Sequence, residues 1–415
     1  MKNTKILKYG FIAYSIMLVC QIFLHFVHTF NDYRELYEGW GFADWLINYE
    51  GGFVRRGILG QIILCLNQQY GMDIGVALHT ISLLSTIALV VLMIVIFYKK
   101  KLSMLILPTA VMIGTFAMND MTSFRRDQLM LLIIFLAFYF YRKYISNKKA
   151  IYYLLFSITG ILVILVHEAS FFCFVPFIFI HQCSKLQLKD FFKSALFLLP
   201  IVAAMGVCGI FKGDETTANI IWNSYQPYFI ETYGEPLSMG AAVDALTWET
   251  AATMKFHMEI NYSMPLCLLG WLTTYFLTFY LCANVNRVKI FSYEKEEVNS
   301  AQLTGILIVQ FISLLPMFTV LSCDLGRITM YWTITSFFIY ALFDNAIKFP
   351  FLVNCSEKIN MRFNAKPFSS KKLYIIICAF IACPLIYYTF EAAFDSIVLG
   401  NIRMFFRLIG KITGL

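Results

Sequence analysis

Residues His79 to Tyr98 read HTISLLSTIALVVLMIVIFY, a run without a single aspartate, glutamate, lysine or arginine. A helix needs ~20 predominantly apolar residues to cross the hydrocarbon core of a bilayer, so this stretch has the length and composition of one crossing. Similar runs occur at 301–321 and 373–390. The whole chain follows suit. Over 415 residues, 59% are hydrophobic, 17% aromatic and only 14% charged, whereas globular domains are about half apolar and a quarter charged. The expected fold is an all-α polytopic membrane protein, one transmembrane domain over 1–415 with about ten or eleven spans. Cys20, Cys173, Cys208, Cys267, Cys282, Cys378 and Cys383 lie irregularly inside apolar runs and read as small apolar fillers rather than a disulfide framework.

Loop lysines and arginines close to membrane spans stay on the cytoplasmic side. Lys2, Lys5 and Lys8 place the N-terminus inside, a first span covers 10–29, and the next clear return ends at Lys99-Lys100-Lys101. Residues 31–75 are then one extracytoplasmic loop. Within it, 57–66 (GILGQIILCL) is apolar but too short to cross, which predicts a re-entrant or interfacial helix. Further crossings are expected at 103–119, 128–141, 151–166, 171–183, 194–211 and 263–283, with a ninth and tenth flanking 322–328 and an eleventh at 373–390. That leaves a long outer segment at 212–262, a basic cytoplasmic loop at 346–372 and an outer tail at 392–415 carrying Arg403, Arg407 and Lys411.

In this layout the inner basic residues are mostly lysine, while Arg34, Arg55, Arg56, Arg125, Arg126, Arg327, Arg403 and Arg407 fall outside. Orientation alone does not require that split. The planar guanidinium matches phosphate and carboxylate oxygens in pairs, whereas lysine acts as a point charge. The outer face is therefore expected to hold an anion. Most acidic residues lie there too, among them Asp32, Glu50, Asp127, Glu168 and Asp324.

Four constellations carry the polar chemistry. In Glu50-Gly51-Gly52-Phe53-Val54-Arg55-Arg56-Gly57, glycines bracket adjacent arginines at the start of the short helix. Glycine lets backbone approach a ligand closely, and amides at a helix start favour anions, so Gly51, Gly52, Arg55 and Arg56 resemble a phosphate cradle. The bland alternative is a bend whose arginines touch lipid head groups. In Phe124-Arg125-Arg126-Asp127-Gln128, the carboxylate can pair one arginine and leave the other free. His167-Glu168-Ala169-Ser170 is the only break in 151–180; thirty residues for two crossings give arms of roughly 24 Å, which recesses the turn. A recessed His-Glu pair suits general-base work or hydrogen bonding to a sugar hydroxyl, unless it merely closes the turn. Finally, Cys323-Asp324-Leu325-Gly326-Arg327 places a carboxylate and an arginine three apart, with Tyr331 and Trp332 following as a stacking floor or an interfacial belt.

The segment 212–262 combines Trp222, Tyr225, Tyr228, Tyr233, Trp248 and His257 with many carboxylates and few lysines, a mix suited to carbohydrate and not to nucleic acid. No Walker loop, zinc motif, nucleophile elbow or nucleotide fingerprint occurs, so no cofactor or metal is expected.

The acidic first loop, its short helix, about eleven spans and the large outer segment together resemble the C-type (GT-C) membrane glycosyltransferases and, by size and outer arginines, the bacterial O-antigen and capsule polymerases. Asn31-Asp32-Tyr33-Arg34-Glu35-Leu36-Tyr37 is loosely similar to the acidic first-loop motif, with Asp32, Asp44 and Glu50 competing for the acid. The resemblance implies transfer of a glycan from a polyprenyl pyrophosphate to another lipid-linked repeat unit, for O-antigen or capsule, at the outer face of a bacterial plasma membrane. Its partners would be that lipid-linked oligosaccharide, membrane lipid and other polysaccharide-assembly proteins. Arg55, Arg56, Arg125, Arg126 and Arg327 would bind the pyrophosphate with Asp324, Gly51 and Gly52 beside them. Glu168, His167 and Asp127, in that order, would serve as base, with Asp32 or Glu50 as the first-loop option. The rivals are a flippase or transporter for the same lipid, whose charges would sit near mid-membrane, and a membrane acyltransferase using His167.

Overall fold

The computed structural model describes residues 2–109, 111–117, 123–183, 187–262, 265–285, 299–322, 324–364, 370–382 and six positions beyond residue 404. Among them the chain is all-α, without a strand, as an all-α polytopic membrane protein should be. In order come α1 (Lys2–His28), α2 (Arg34–Glu38), α3 (Gly57–Tyr70), α4 (Ile74–Lys99), α5 (Asp127–Asn147), α6 (Ala150–Val166), α7 (Ser170–Gln182) and α8 (Leu188–Ile210). They are followed by α9 (Glu215–Asn223), α10 (Gln226–Tyr233), α11 (Ala241–Asp244), α12 (Thr250–Tyr262), α13 (Pro265–Ala283), α14 (Ser300–Ser313), α15 (Leu325–Leu342), α16 (Pro350–Asn364) and α17 (Lys371–Ala382). Four helices are long and apolar enough to cross a membrane: Lys5–His28 within α1, then α4, α5 and α8. Sequence-local caps start several elements. Asp73 accepts the Val76 amide at 2.8 Å ahead of α4, and Asp214 accepts that of Thr217 at 2.8 Å ahead of α9.

Helices α6 and α7 form the short pair expected around His167 and Glu168. Helices of 17 and 13 residues are about 25 and 20 Å long, each shorter than a hydrocarbon core, and the turn between them has His167 and Ala169 buried in the protein. Helix α15 is the central post, buried on every side from Leu325 to Ile339. It packs against α14, α5, α7, α4 and α13. Its polar side chains bond locally or to neighbours: Trp332 donates to the Leu307 carbonyl at 2.8 Å, and Gln310 of α14 donates to Thr335 at 2.8 Å.

The expected crossing at 103–119 is not a continuous helix. Its described part contains two short 3-10 turns, Met104–Ile106 and Ile113–Ala117, and the described residues between them, 107–109 and 111–112, are irregular and buried. Pro108 contributes no N–H, and the chain folds so tightly that a side chain on Gly114 would collide with the Pro108 carbonyl. Irregular backbone buried this way must find its hydrogen bonds inside the protein. Here Ser103 N–H donates to the Val285 carbonyl at 2.9 Å, the Thr333 hydroxyl to Val111 and the Ser123 hydroxyl to Phe116 at 2.6 Å. Apolar content was legible in this stretch, and its interruption was not.

The first loop and the segment 212–262 interlock into one cap. Tyr225 donates to the Gly60 carbonyl at 3.0 Å, Asn48 to Ser224 at 2.9 Å, Arg34 to Glu235 at 2.9 Å and Ser238 to Glu38 at 2.6 Å. Gly240 sits so close to the Tyr37 carbonyl and Ala43 that no Cβ fits there. The expected short helix within the first loop is α3, longer than 57–66 by four residues. Within the basic loop 346–372 an unforeseen helix, α16, packs on α14, with Asn360 donating to Ser300 at 2.6 Å. Arg403, Arg407 and Lys411 of the tail, and 373–390 past residue 382, lie outside the described residues.

Candidate functional site

Four short segments meet at one end of the helices: the first loop, the turn before α5, the α6–α7 turn and the start of α15. Trp45 does much of the joining. Its indole N–H donates to the Phe124 carbonyl at 2.7 Å, which pins the Ala43–Trp45 turn on the α5 entry and aligns Asp44 with Arg126. The two side chains are fully buried and paired in parallel, Nε to Oδ2 at 3.0 Å and Nη2 to Oδ1 at 2.6 Å. Arg126 also donates to the Arg56 carbonyl at 3.2 Å.

Arg56 precedes α3 with φ 68°, a left-handed conformation that costs a branched or long side chain roughly 1–2 kcal/mol. Its neighbours hold it there. One edge of its guanidinium grips Glu168 with two donors, Nε to Oε2 and Nη2 to Oε1, each at 2.6 Å, and Nη1 lies 3.6 Å from Asp44. Arg55 adds a third donor to Glu168 at 3.2 Å. On the other side, Arg327 forks onto Asp127 at 2.7 Å twice and donates to Asp324 at 3.0 Å, while the Tyr331 hydroxyl donates to Asp127 at 2.6 Å. Arg125 lies over the Trp40 ring at 5.4 Å and makes only a loose 3.9 Å pair with Asp324.

Five guanidiniums thus face four carboxylates, one positive charge in excess, with His167 among them. Burial would raise the Asp44 carboxyl, but Arg126, Arg125 and Arg56 hold it far below the usual carboxylate range. Glu168 is likewise held well below its ordinary value, by Arg56 and Arg55 against its burial. His167 is pushed down to about 3, first by burial and then by Arg56. It is therefore neutral at physiological pH. Its Nδ1 accepts the Ala169 amide at 3.3 Å, which leaves the ring proton on Nε2.

The pairing sorts the sequence candidates. Arg56, Arg126 and Arg327 are closed by bidentate carboxylates and act as the frame. Arg55 and Arg125 are open: each has a buried Nε without a partner, and Arg55 is 29% exposed. Asp324 has a buried Oδ1 without a partner beside Arg125. Both oxygens of Glu168 are taken up by Arg56 and Arg55, and both of Asp127 by the Arg327 fork and the Tyr331 hydroxyl, so these two carboxylates fit the frame better than the role of base, whereas Asp324 keeps one oxygen, Oδ1, without a partner. Asp32 instead caps the Arg34 amide at 2.9 Å, and Glu50 accepts from Gln61 at 3.2 Å. Gly52 turns the chain at φ 97°, and Gly51 packs on Thr217 of α9. None of these four makes a described hydrogen bond or ion pair to Arg55, Arg56, Arg125, Arg126 or Arg327, and the first-loop acid that does is Asp44. Tyr331 and Trp332 are fully buried and offer no stacking floor, and Trp222 and Tyr225 are buried in the cap. Sequence reasoning passed over Trp40, although an indole between Gly39 and Gly41 signals backbone shaped around one side chain.

Among the described residues no three His, Cys, Asp or Glu side chains are grouped as a metal would require. No family model, curated protein or solved structure matches the chain.

Proposed function

We propose that the chain is a membrane glycosyltransferase of the surface-polysaccharide polymerase kind, joining polyprenyl-pyrophosphate-linked repeat units at the extracytoplasmic face of a bacterial plasma membrane. The observation that carries this reading is a framed, net-positive arginine cluster that keeps unused guanidinium donors on Arg55 and Arg125. An acceptor hydroxyl attacks the anomeric carbon of the donor sugar. The bond from that carbon to the pyrophosphate oxygen breaks with its electron pair on oxygen, and the hydroxyl proton passes to Asp324 Oδ1. Charge developing on the pyrophosphate meets Arg55 and Arg125, which are already oriented, so the site needs little reorganisation at the moment of reaction. The His167 Nε2–H supplies a neutral donor in the same region.

The test is a gene deletion in the host, complemented with Arg55→Ala, Arg125→Ala and Asp324→Asn, read as the surface polysaccharide on a gel. Collapse of a ladder to a single repeat unit supports the reading. Complete loss of the repeat from the surface identifies an exporter of the same lipid-linked sugar instead. An intact ladder with a small mass shift identifies an acyltransferase and overturns the proposal.

A further inference from the structure

We propose that Trp40 and Trp248 form a platform for a pyranose ring, placed so that the phosphate attached to that sugar lies on Arg125. The proposal rests on the anion-binding reading of the arginine cluster and adds the chemistry of the group next to the anion. The first observation is one of elimination. Trp45, Trp222 and Trp332 are buried, each with its indole N–H donated to a backbone carbonyl, at 2.7, 3.0 and 2.8 Å. Among the tryptophans whose side chains are described, Trp40 and Trp248 alone are not buried, Trp40 being partly exposed and Trp248 exposed at 37%.

These two come from opposite parts of the cap, the first loop and the segment before α12, yet their rings stand 6.1 Å apart at 73°. They form a corner rather than a flat patch. Arg125 lies over the Trp40 ring, its Cζ 5.4 Å from the ring centroid and its buried Nε without a partner. The indole face carries the negative lobe of its quadrupole, which attracts the weakly positive C–H face of a sugar. The exposed Asp244 carboxylate, 3.3 Å from the Trp248 Nε1, offers an acceptor for sugar hydroxyls at the rim. An aromatic corner, a carboxylate rim and a cation with a spare donor together match a sugar 1-phosphate better than a bare anion or a lipid tail, each of which would leave half of these groups unused.

The experiment uses the full-length protein in nanodiscs, with inorganic phosphate and the 1-phosphates of glucose, galactose, N-acetylglucosamine and N-acetylgalactosamine as probes, read by tryptophan fluorescence and by competition. At least one sugar phosphate should bind ten-fold or more tightly than inorganic phosphate. That advantage should shrink to less than two-fold in Trp248→Leu and in the Trp40→Leu/Trp248→Leu double variant, with phosphate affinity itself kept. Retention of the advantage in both variants, or its absence from the wild type, overturns the platform. So does quenching of these indoles by brominated lipid tails that added sugar phosphate does not relieve, because the corner then belongs to the lipid interface. Arg125→Ala should weaken phosphate and sugar phosphates together. A lost sugar preference with an intact dependence on Arg125 refutes the platform alone, whereas binding indifferent to Arg55 and Arg125 refutes the underlying anion site.

Discussion

Replacing Asp44 by asparagine should destabilise the protein by about 3–5 kcal/mol, the cost of leaving one member of a buried pair without its partner. Asparagine has nearly the same shape, so the loss measures charge and hydrogen bonding rather than a cavity. Arg126 is fully buried, and its only other described acceptor is the Arg56 carbonyl. The amide nitrogen of the new side chain would also face guanidinium N–H groups. Arg126→Met should cost less, near 3 kcal/mol, because Asp44 keeps Arg56 at 3.6 Å. The double variant Asp44→Leu/Arg126→Met removes both charges and should recover most of the loss, since well-packed apolar replacements of buried pairs are often neutral. Unfolding in mixed micelles by SDS titration, followed by tryptophan fluorescence, gives the free energies, and the single Asp44→Leu variant closes the cycle that yields a coupling term. A cost below about 1 kcal/mol for Asp44→Asn would place the pair among solvated bridges. Strict additivity in the double variant would mean that the two side chains do not share a desolvated contact.

Arg125→Lys keeps the charge and loses the fork; product formation should fall at least about tenfold, since one charge-assisted hydrogen bond is worth ~1.5–3 kcal/mol. Its unfolding free energy should hardly change, because the pair to Asp324 is loose, and equal losses in both assays would contradict the division into open and framing arginines. For His167, the folded-state value near 3 lies below the usual 6.5. The unfolded chain therefore takes up the proton first, and the stabilisation is complete above about pH 6.5 and lost as pH falls toward 3. Between pH 7 and 5 the wild type should lose about 2 kcal/mol through this group, and a His167→Gln variant with the same slope would refute the assignment. Gly240→Ala should lift the segment 212–262 off the first loop, seen as new cleavage within 234–249 on limited proteolysis, and unchanged protection would show that the backbone can absorb the methyl.

The sequence located most of the charged groups and few of their partners. Arg125, Arg126 and Asp127 are consecutive, so their natural reading is a local pair. In the fold they diverge to Trp40 and Asp324, to Asp44, and to Arg327 respectively. The turn residues before α5 and the first residue of the helix point in different directions, and each partner lies 80 or more residues away in the chain. The turn at His167-Glu168 was legible because it is the only break between two apolar runs, and the chain does turn there between α6 and α7. Burial of aromatics was not: Tyr331 and Trp248 carry the same composition signal, but one is closed inside α15 and the other faces out. The stretch 103–119 failed for a related reason. Hydropathy averages over a window, and a single proline with a close-packed glycine can interrupt a helix without lowering that average.

The separation of partners also has a time dimension. Asp127 and Arg327 lie 200 residues apart, and at a synthesis rate of ~5–20 residues per second the carboxylate exists for roughly 10–40 s before its arginine is made. Asp44 meets Arg126 far earlier. One half of the cluster can thus close while the ribosome is still producing the helices that complete the other half. Throughout that interval Asp127 heads an apolar helix with its final partner still missing, so a nascent chain halted before residue 327 should be the species most exposed to membrane quality-control proteases.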